Sequence, residues 1–165
     1  MPSGVAMQRE YLDTIAHVER LHRQFLEVVK LELDTHGLRD INAVQAMILF
    51  NLGDQEMTVT ELIFRGCYLG SNVSYNLKKL GELGYVVQER SEHDRRTIRV
   101  RLSEKGQALR QKLAEMHKRH IAALSSTSLT EEDLTTVNLA LQRLDRFWVR
   151  MADVSARTAQ VTSAT

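Results

Sequence analysis

The chain has little that would suggest secretion, a membrane or a chemical reaction. Its single cysteine, Cys67, cannot form an internal disulfide, which fits a reducing compartment. The N-terminus lacks the uninterrupted apolar stretch of a signal peptide, and no segment is long and apolar enough to cross a membrane. A nucleophile–base pair, a phosphate-binding glycine loop and an HExxH-type metal motif are also missing. We therefore expect a cytoplasmic protein that is not an enzyme, needs no cofactor and has no membrane partner.

Net charge is equally uninformative until its distribution is considered. The chain of 165 residues has 22 Lys and Arg and 21 Asp and Glu, so its net charge is only +1. Between Arg65 and Arg101, however, eight basic residues accompany four acidic ones, a net charge of +4, which leaves −3 for the rest. Concentrated positive charge is what phosphate binding needs, and the acidic remainder limits non-specific association.

The composition, 43% hydrophobic and 26% charged, is that of a globular chain sized for one domain or a domain with an extension. From Gln8 to Thr35 apolar residues recur at helical spacing, in a stripe wider than one small domain would cover. The apolar run 41–52 predicts a second helix, largely buried. The capping-box pattern 58–61 predicts a short third helix from Val59 to about Arg65.

The next helical pattern has one apolar face and one polar face. Val73, Leu77 and Leu80 are spaced i, i+4, i+7 and define the buried side. Hydroxyl, amide, phenol and lysine side chains lie opposite or beside it: Ser71, Asn72, Ser74, Tyr75, Lys78 and Lys79. A short helix, a glycine-containing turn and a second helix with a polar outer face follow the order of a helix-turn-helix.

The segments 85–90 and 97–102 are rich in β-branched residues and predict two strands that pair as a hairpin across a polar tip at 91–96. Ser103 can cap a long helix that runs to about Leu124. Thr130 with Asp133 can cap a last helix from Glu131 to about Met151.

The predicted fold is mainly α with a small β-hairpin wing: four helices, the hairpin and two further helices. It forms a winged helix-turn-helix DNA-binding region at 41–103, with a helical dimerisation region from 8–36 and 104–151. Beyond Met151 the Ala-, Ser- and Thr-rich composition predicts a flexible tail at 152–165.

This order of elements, with two sequence motifs, resembles the MarR family of bacterial transcriptional regulators. The motifs are Glu89-Arg90-x4-Asp94-Arg95-Arg96 and Leu102-Ser103-Glu104-Lys105-Gly106, and the run Arg65-Gly66-Cys67-Tyr68-Leu69-Gly70 also resembles a subgroup linked to cell-envelope genes. The resemblance implies a homodimer built from the first and last two helices. It also implies a recognition helix in the major groove of double-stranded DNA and a wing tip in the minor groove.

Residue by residue, the resemblance implies recognition-helix contacts from Ser71, Asn72, Ser74, Tyr75 and Lys78, and the adjacent Lys79 suits a phosphate contact. It implies wing contacts from Arg95 and Arg96, with Asp94 pairing with Arg96 to hold the shape of the wing. Tyr75 stands where the family often has a basic residue, and His93 occupies a variable wing position. The family's base preference therefore does not transfer to this chain.

The resemblance further implies a small amphipathic, often phenolic, effector near the inner faces of the first two helices. The polar residues that could orient such a molecule form the candidate effector pocket: His17, Arg20, Gln24, Asn42 and Gln45. Ordinary packing of these faces explains the pattern equally well.

A redox switch and a metal site are the less favoured interpretations of two further features. Cys67 has no second cysteine to resolve an oxidised form, so a small residue in the turn is the better interpretation. His117 and His120 have a usable ligand spacing, and His17 or His22 could approach them. Without cysteines or a tight acidic cluster nearby, we expect no metal site.

The expected function is a sequence-specific transcriptional regulator, a ligand-responsive repressor that binds a pseudo-palindromic operator as a homodimer. The alternative is a nucleoid or architectural DNA-binding protein. That class would need a stronger net positive charge, and a low ratio of specific to non-specific affinity would reveal it.

Overall fold

The computed structural model describes the backbone of residues 4–66, 70–90 and 97–162, and the side chains of 4–66, 72–90 and 97–155. In chain order, the elements are α1 (Gly4–Thr35), α2 (Ala43–Leu52), β1 (Met57–Thr58), α3 (Val59–Gly66), α4 (Gly70–Glu82), β2 (Val86–Arg90), β3 (Ile98–Leu102), α5 (Glu104–Leu124) and α6 (Glu131–Thr162). Within these ranges no helix has the length and apolar character that a membrane span requires. The predicted fold class, mainly α with a small wing, is confirmed.

Two compact units divide the chain, Met1–His117 and Lys118–Thr165, and their boundary falls inside α5. The first unit holds α1, the winged region and the first part of α5 around one hydrophobic core. Val29 of α1 and Leu113 of α5 are fully buried in that core. This division differs from the sequence-based one, which separated 8–36 and 104–151 from 41–103, because the apolar stripes of α1 and α5 complete the core of the winged region.

Capping boxes fix the starts of α3 and α6, as their sequences predicted. The Thr58 N–H donates to the Glu61 carboxylate at 2.7 Å, and the Glu61 N–H donates to Thr58 Oγ1 at 3.1 Å. Thr130 and Asp133 make the same exchange at 2.9 and 3.1 Å. These hydrogen bonds from Thr58 and Thr130 lower the pKa of the Glu61 and Asp133 carboxyls. Each box satisfies N–H groups that a helix start would otherwise leave without partners.

The wing hairpin belongs to a three-stranded antiparallel sheet in the order β1-β3-β2. Strands β2 and β3 pair from Val86 with Leu102 to Arg90 with Ile98, which confirms the predicted hairpin. The sequence did not predict β1, whose two residues pair with Val100 and Arg99 of β3. Two residues are too few for the alternating pattern by which a strand is recognised.

Helix α6 continues past Met151 to Thr162, so the predicted end of the last helix at about Met151 is wrong, and residues 152–162 of the predicted flexible tail are helical. This segment contains neither glycine nor proline. Extending an existing helix through alanine and ordinary polar residues costs little, because the unfavourable nucleation step has already been made. The small, polar composition was therefore a poor sign of where the helix ends.

Candidate nucleic-acid interface

Helix α4 is anchored along one face and closed at its C-terminus. Val73, Leu77 and Leu80 are at most 1% exposed, as their spacing predicted. Past the last turn, Gly84 has a φ of +77°, and the Tyr85 N–H donates to the Leu80 carbonyl at 2.8 Å. Glycine adopts this left-handed conformation without steric cost, so the motif ends the helix and fixes the direction of the chain.

The opposite face of α4 presents polar side chains to solvent. Asn72, Ser74 and Lys78 are exposed, and the Tyr75 side chain is 61% exposed. A tyrosine held this far out of the core contributes little to packing, while its ring and hydroxyl remain available to a partner. The structure therefore places these four predicted contact residues on one accessible surface. The side chain of Ser71 lies outside the described residues.

Lys79, also predicted as a contact, is engaged within its own helix. Its ammonium lies 2.8 Å from the Glu82 carboxylate, one turn further along. This hydrogen bond raises the pKa of Lys79 and lowers the pKa of Glu82. Lys78 forms no ion pair with any residue in the described ranges. The two lysines therefore differ: Lys78 can meet an anion directly, whereas Lys79 has to leave Glu82 first.

The base of the wing is electrically balanced. Arg99 pairs with Glu56 at 3.3 Å and Arg101 pairs with Glu89 at 3.2 Å, and both arginines lie on the same face of β3. Partly exposed pairs of this kind contribute little to stability, but they neutralise the cations locally. The wing tip with the remaining predicted contacts, Asp94, Arg95 and Arg96, lies outside the described residues, as does His93.

An open cleft of about 460 Å³ lies where α3, α4 and the sheet meet. Hydroxyl and amide side chains line much of it: Thr58, Thr60, Ser74, Gln88 and Thr97. Gln88 donates from Nε2 to the Leu77 carbonyl at 3.0 Å and so ties β2 to α4. The sequence analysis did not single out Gln88 or Thr60, because neither belongs to a helical or alternating pattern that marks a surface.

The candidate effector residues lie in two places, on α1 and at the start of α2. His17, Arg20 and Gln24 are exposed on α1, and His17 Nδ1 lies 2.7 Å from the Asp13 carbonyl.

Asn42 and Gln45 hydrogen-bond to each other's backbone at the start of α2. Asn42 Oδ1 accepts from the Gln45 N–H at 2.9 Å, and Gln45 Oε1 accepts from the Asn42 N–H at 3.1 Å. They form the capping box of α2, a role that the sequence analysis overlooked although the spacing matches that of Thr58 and Glu61.

One of the histidines weighed as metal ligands, His117, lies beside aromatic side chains. The His117 ring is centred 4.9 Å from the Phe50 ring and 6.0 Å from the Phe25 ring. Within the part of the chain that the structure describes, no group of three His, Cys, Asp or Glu side chains is placed to hold a metal ion. Cys67 lies outside the described residues.

Comparison with known proteins adds sequence and fold relatives. Residues 41–106 match a family described as "Winged helix DNA-binding domain". The exopolysaccharide II synthesis transcriptional activator ExpG of Rhizobium meliloti (strain 1021) is 38% identical over 138 residues, which span 84% of this chain and 71% of the relative.

The fold matches that of FabT from Streptococcus pneumoniae, solved in complex with DNA, with a TM-score of 0.67 and 20% identity over 86% of this chain and 99% of that one. It also matches Staphylococcus aureus MarR, solved with salicylate and kanamycin, with a TM-score of 0.66 and 19% identity over 87% and 93% of the two chains. Sequence and fold thus agree on one class of protein.

Proposed function

The chain belongs to the MarR family of transcriptional regulators with a winged helix DNA-binding domain, and from this premise we propose that it binds a pseudo-palindromic operator as a homodimer and responds to a small effector. The observation that carries the proposal is the exposed polar face of α4, held on a winged helix by a fully buried apolar face. The major groove of B-DNA is wide enough to admit such a helix.

In this proposal the N-terminal half of α4 meets base edges, through Ser71, Asn72, Ser74 and Tyr75. Lys78 and Lys79 bind backbone phosphates, which supply affinity without sequence information. The wing arginines, Arg95 and Arg96, reach the minor groove or its phosphates, and Asp94 orients Arg96. The positive charge concentrated between Arg65 and Arg101 supports this assignment.

Dimerisation is proposed from exposed apolar surface on the helices. In α6, Leu134, Val137, Leu141 and Trp148 are each 37–50% exposed, and they recur at helical spacing. An apolar stripe of this length on a soluble protein marks an interface. A two-fold dimer presents two copies of α4, which suits half-sites about one helical turn apart.

The proposed effector is a small amphipathic or phenolic molecule, a class supported by the salicylate complex of Staphylococcus aureus MarR. Its candidate polar contacts remain His17, Arg20 and Gln24, with the capping pair Asn42 and Gln45 contributing only through groups that the cap leaves available.

We propose that the unliganded dimer represses transcription. The name of the Rhizobium relative favours a second candidate, an activator. Transcription in vitro distinguishes the two roles. A repressor lowers transcription when the operator overlaps the promoter, whereas an activator raises it when the operator lies upstream of the promoter.

The test of the proposed function is selection of preferred DNA from a random pool with the purified full chain, together with its mass by light scattering. We expect a dimer, and selected sites that are near-palindromes with half-sites about 10 base pairs apart. Selected sites without dyad symmetry contradict the proposal. An affinity for the selected site within about tenfold of that for random DNA would favour the architectural alternative, because specific regulators exceed this ratio by far.

The Lys79–Glu82 pair gives a prediction about affinity. In Glu82→Gln, Lys79 no longer has to leave a carboxylate to bind a phosphate, so DNA binding should tighten a few-fold on all sequences. Anisotropy titrations across a range of salt concentrations measure this. The matched variant Lys78→Ala should instead weaken binding about equally on all sequences and reduce the salt slope by about one unit. Unchanged or weaker binding by Glu82→Gln would mean that Lys79 makes no phosphate contact.

The wing gives a prediction in which two explanations of the role of Asp94 expect opposite changes in DNA affinity. If the Asp94 carboxylate orients Arg96, Asp94→Asn should weaken operator binding by about ten- to a hundredfold, because a hydrogen bond to a charged group contributes roughly 1.5–3 kcal/mol. Simple electrostatics predicts tighter binding after removal of a negative charge, but salt screens that repulsion. Glu92→Gln is the control, and it should bind as well as wild type or better. Tighter binding by Asp94→Asn at matched salt refutes the orienting role.

A further inference from the structure

Three segments that are distant in the sequence meet at Tyr85. This residue follows the C-terminal turn of α4, and its side chain is 1% exposed. Its hydroxyl donates to Asp40 Oδ1 at 2.9 Å, and Asp40 lies in the connection between α1 and α2. The end of α4 is thus joined to the α1–α2 connection by a directional bond.

Lys105, in the first turn of α5, completes the cluster. Its ammonium donates to Asp40 Oδ2 and to the Leu83 carbonyl, each at 2.9 Å, and it lies 4.0 Å from the centre of the Tyr85 ring. A cation at the C-terminal end of a helix interacts favourably with its dipole and with its last carbonyls. One side chain of α5 therefore contacts both the α1–α2 connection and the end of α4.

Backbone contacts join the same segments. The Ser103 N–H donates to the Tyr85 carbonyl at 3.0 Å, and Ser103 Oγ donates to the Gly84 carbonyl at 2.6 Å. The turn that ends α4 is therefore attached directly to the start of α5. Since Gly84 and Tyr85 also close α4 itself, a shift at this attachment is transmitted to the helix.

The charges in the cluster are stable over a wide pH range. The hydrogen bond from Lys105 lowers the pKa of Asp40, and the same bond raises the pKa of Lys105. Burial raises the pKa of the Tyr85 hydroxyl, which therefore remains a donor. The three groups keep these protonation states throughout neutral pH, so the cluster is a permanent connection and does not act as a pH switch.

We propose that Asp40, Tyr85 and Lys105 are positioning residues that fix α4 relative to α1 and α5, and thereby set the half-site spacing that the dimer accepts. The inference rests on the proposed function. Apolar burial holds the inner face of α4 but is non-directional, so it permits small rotations. Hydrogen bonds restrict direction as well as distance. A helix of 13 residues is about 20 Å long, so a small rotation about its C-terminal end displaces its N-terminal contacts appreciably.

Stability alone is a poor explanation of the cluster. The Lys105 and Asp40 side chains are 47% and 39% exposed, and ion pairs at that exposure contribute little to folding. The bonds of Asp40 with Tyr85 and with Lys105 instead join residues that are separated by 45 and by 65 positions in the chain. They meet at the turn on which the direction of α4 depends. In a two-fold dimer any rotation of α4 occurs in both copies, so its effect on the distance between half-sites is doubled.

The experiment compares Tyr85→Phe and Lys105→Met with wild type on three operators: the selected palindrome, and versions with one base pair added or removed between half-sites. Lys30→Met, which removes an exposed lysine 3.6 Å from Glu27 on α1, is the charge-matched control. We expect wild type and the control to bind the altered operators about tenfold more weakly. For each of the two cluster variants, the affinities for the three operators should differ by no more than about threefold.

A uniform loss of affinity on all three operators would show that the cluster only supports folding, and it overturns the inference. Full discrimination by both variants overturns it as well. Tyr85→Phe keeps the buried ring, so it remains informative if Lys105→Met does not fold. A wild-type protein that is monomeric by light scattering overturns the proposed function, whereas a wild-type dimer whose variants discriminate as it does overturns this inference alone.

Discussion

Replacing Gly106 with alanine is expected to lower the free energy of unfolding by about 3 kcal/mol. A Cβ at this position would lie 2.1 Å from the Tyr85 carbonyl oxygen and 3.4 Å from Leu102 Cβ. The near neighbour is backbone, so no rotamer change can relieve the overlap, and α5 would have to move away from the end of α4. Alanine normally stabilises a helix interior relative to glycine by roughly 0.5–1 kcal/mol, too little to offset the overlap.

Gly81→Ala is the matched control, because Gly81 is also helical. A Cβ there would meet only the Gln88 Nε2 atom at 3.4 Å, the end of a flexible side chain. Its stability should be unchanged or should increase by roughly 0.5–1 kcal/mol. Urea denaturation measures both variants. Equal midpoints for Gly106→Ala and wild type would mean that α5 does not approach Tyr85 as closely as described.

Leu141→Asp is expected to convert the protein to a monomer and to reduce operator affinity at least about a hundredfold. Leu141 lies at the centre of the α6 stripe, and a buried, unpaired carboxylate in an apolar interface carries a large desolvation cost. A monomer binds one half-site, so it loses the gain of about 10²–10⁴ that linked sites provide. Light scattering gives the mass, and a titration against the selected operator gives the affinity.

Leu139→Asp introduces the same charge on the other side of α6. At 100° per residue Leu139 points away from Leu134, Leu141 and Trp148, and it is 50% exposed. We expect this variant to remain dimeric and to bind DNA as wild type does. If Leu141→Asp is also a dimer with normal affinity, the apolar stripe of α6 is not the interface.

Local patterns made much of the fold predictable. The spacing of Val73, Leu77 and Leu80 gave the buried face of α4, and Thr58 with Glu61 gave the start of α3, since each pattern depends only on residues within two helical turns. The sequence also carried the pairing of Lys79 with Glu82, three positions apart, although the prediction assigned Lys79 to DNA. The i, i+3 spacing of the two residues was enough to predict this pair, but the sequence analysis considered Lys79 only as a phosphate contact.

The remaining features depend on contacts that no local pattern encodes. Asp40, Tyr85 and Lys105 come together only because α1, α4 and α5 pack around one core. Asn42 and Gln45 looked like ligand contacts because polar residues beside an apolar run have several possible roles, and only the backbone geometry identifies the cap. A polar side chain is therefore a weaker guide to function when a helix start lies within three residues of it.

The two-residue strand β1 has a consequence for how this wing can diversify. Because Met57 and Thr58 pair with Val100 and Arg99, the hairpin has a root that shares hydrogen bonds with the segment entering α3. The described ladder between β2 and β3 runs from Val86 and Leu102 to Arg90 and Ile98, so the register of the hairpin is defined by pairs that lie outside positions 91–96. We therefore expect that a change in the length or charge of positions 91–96 leaves the register of this root and the fold of the helix-turn-helix unchanged, so that the proposed minor-groove contacts can vary independently of the fold.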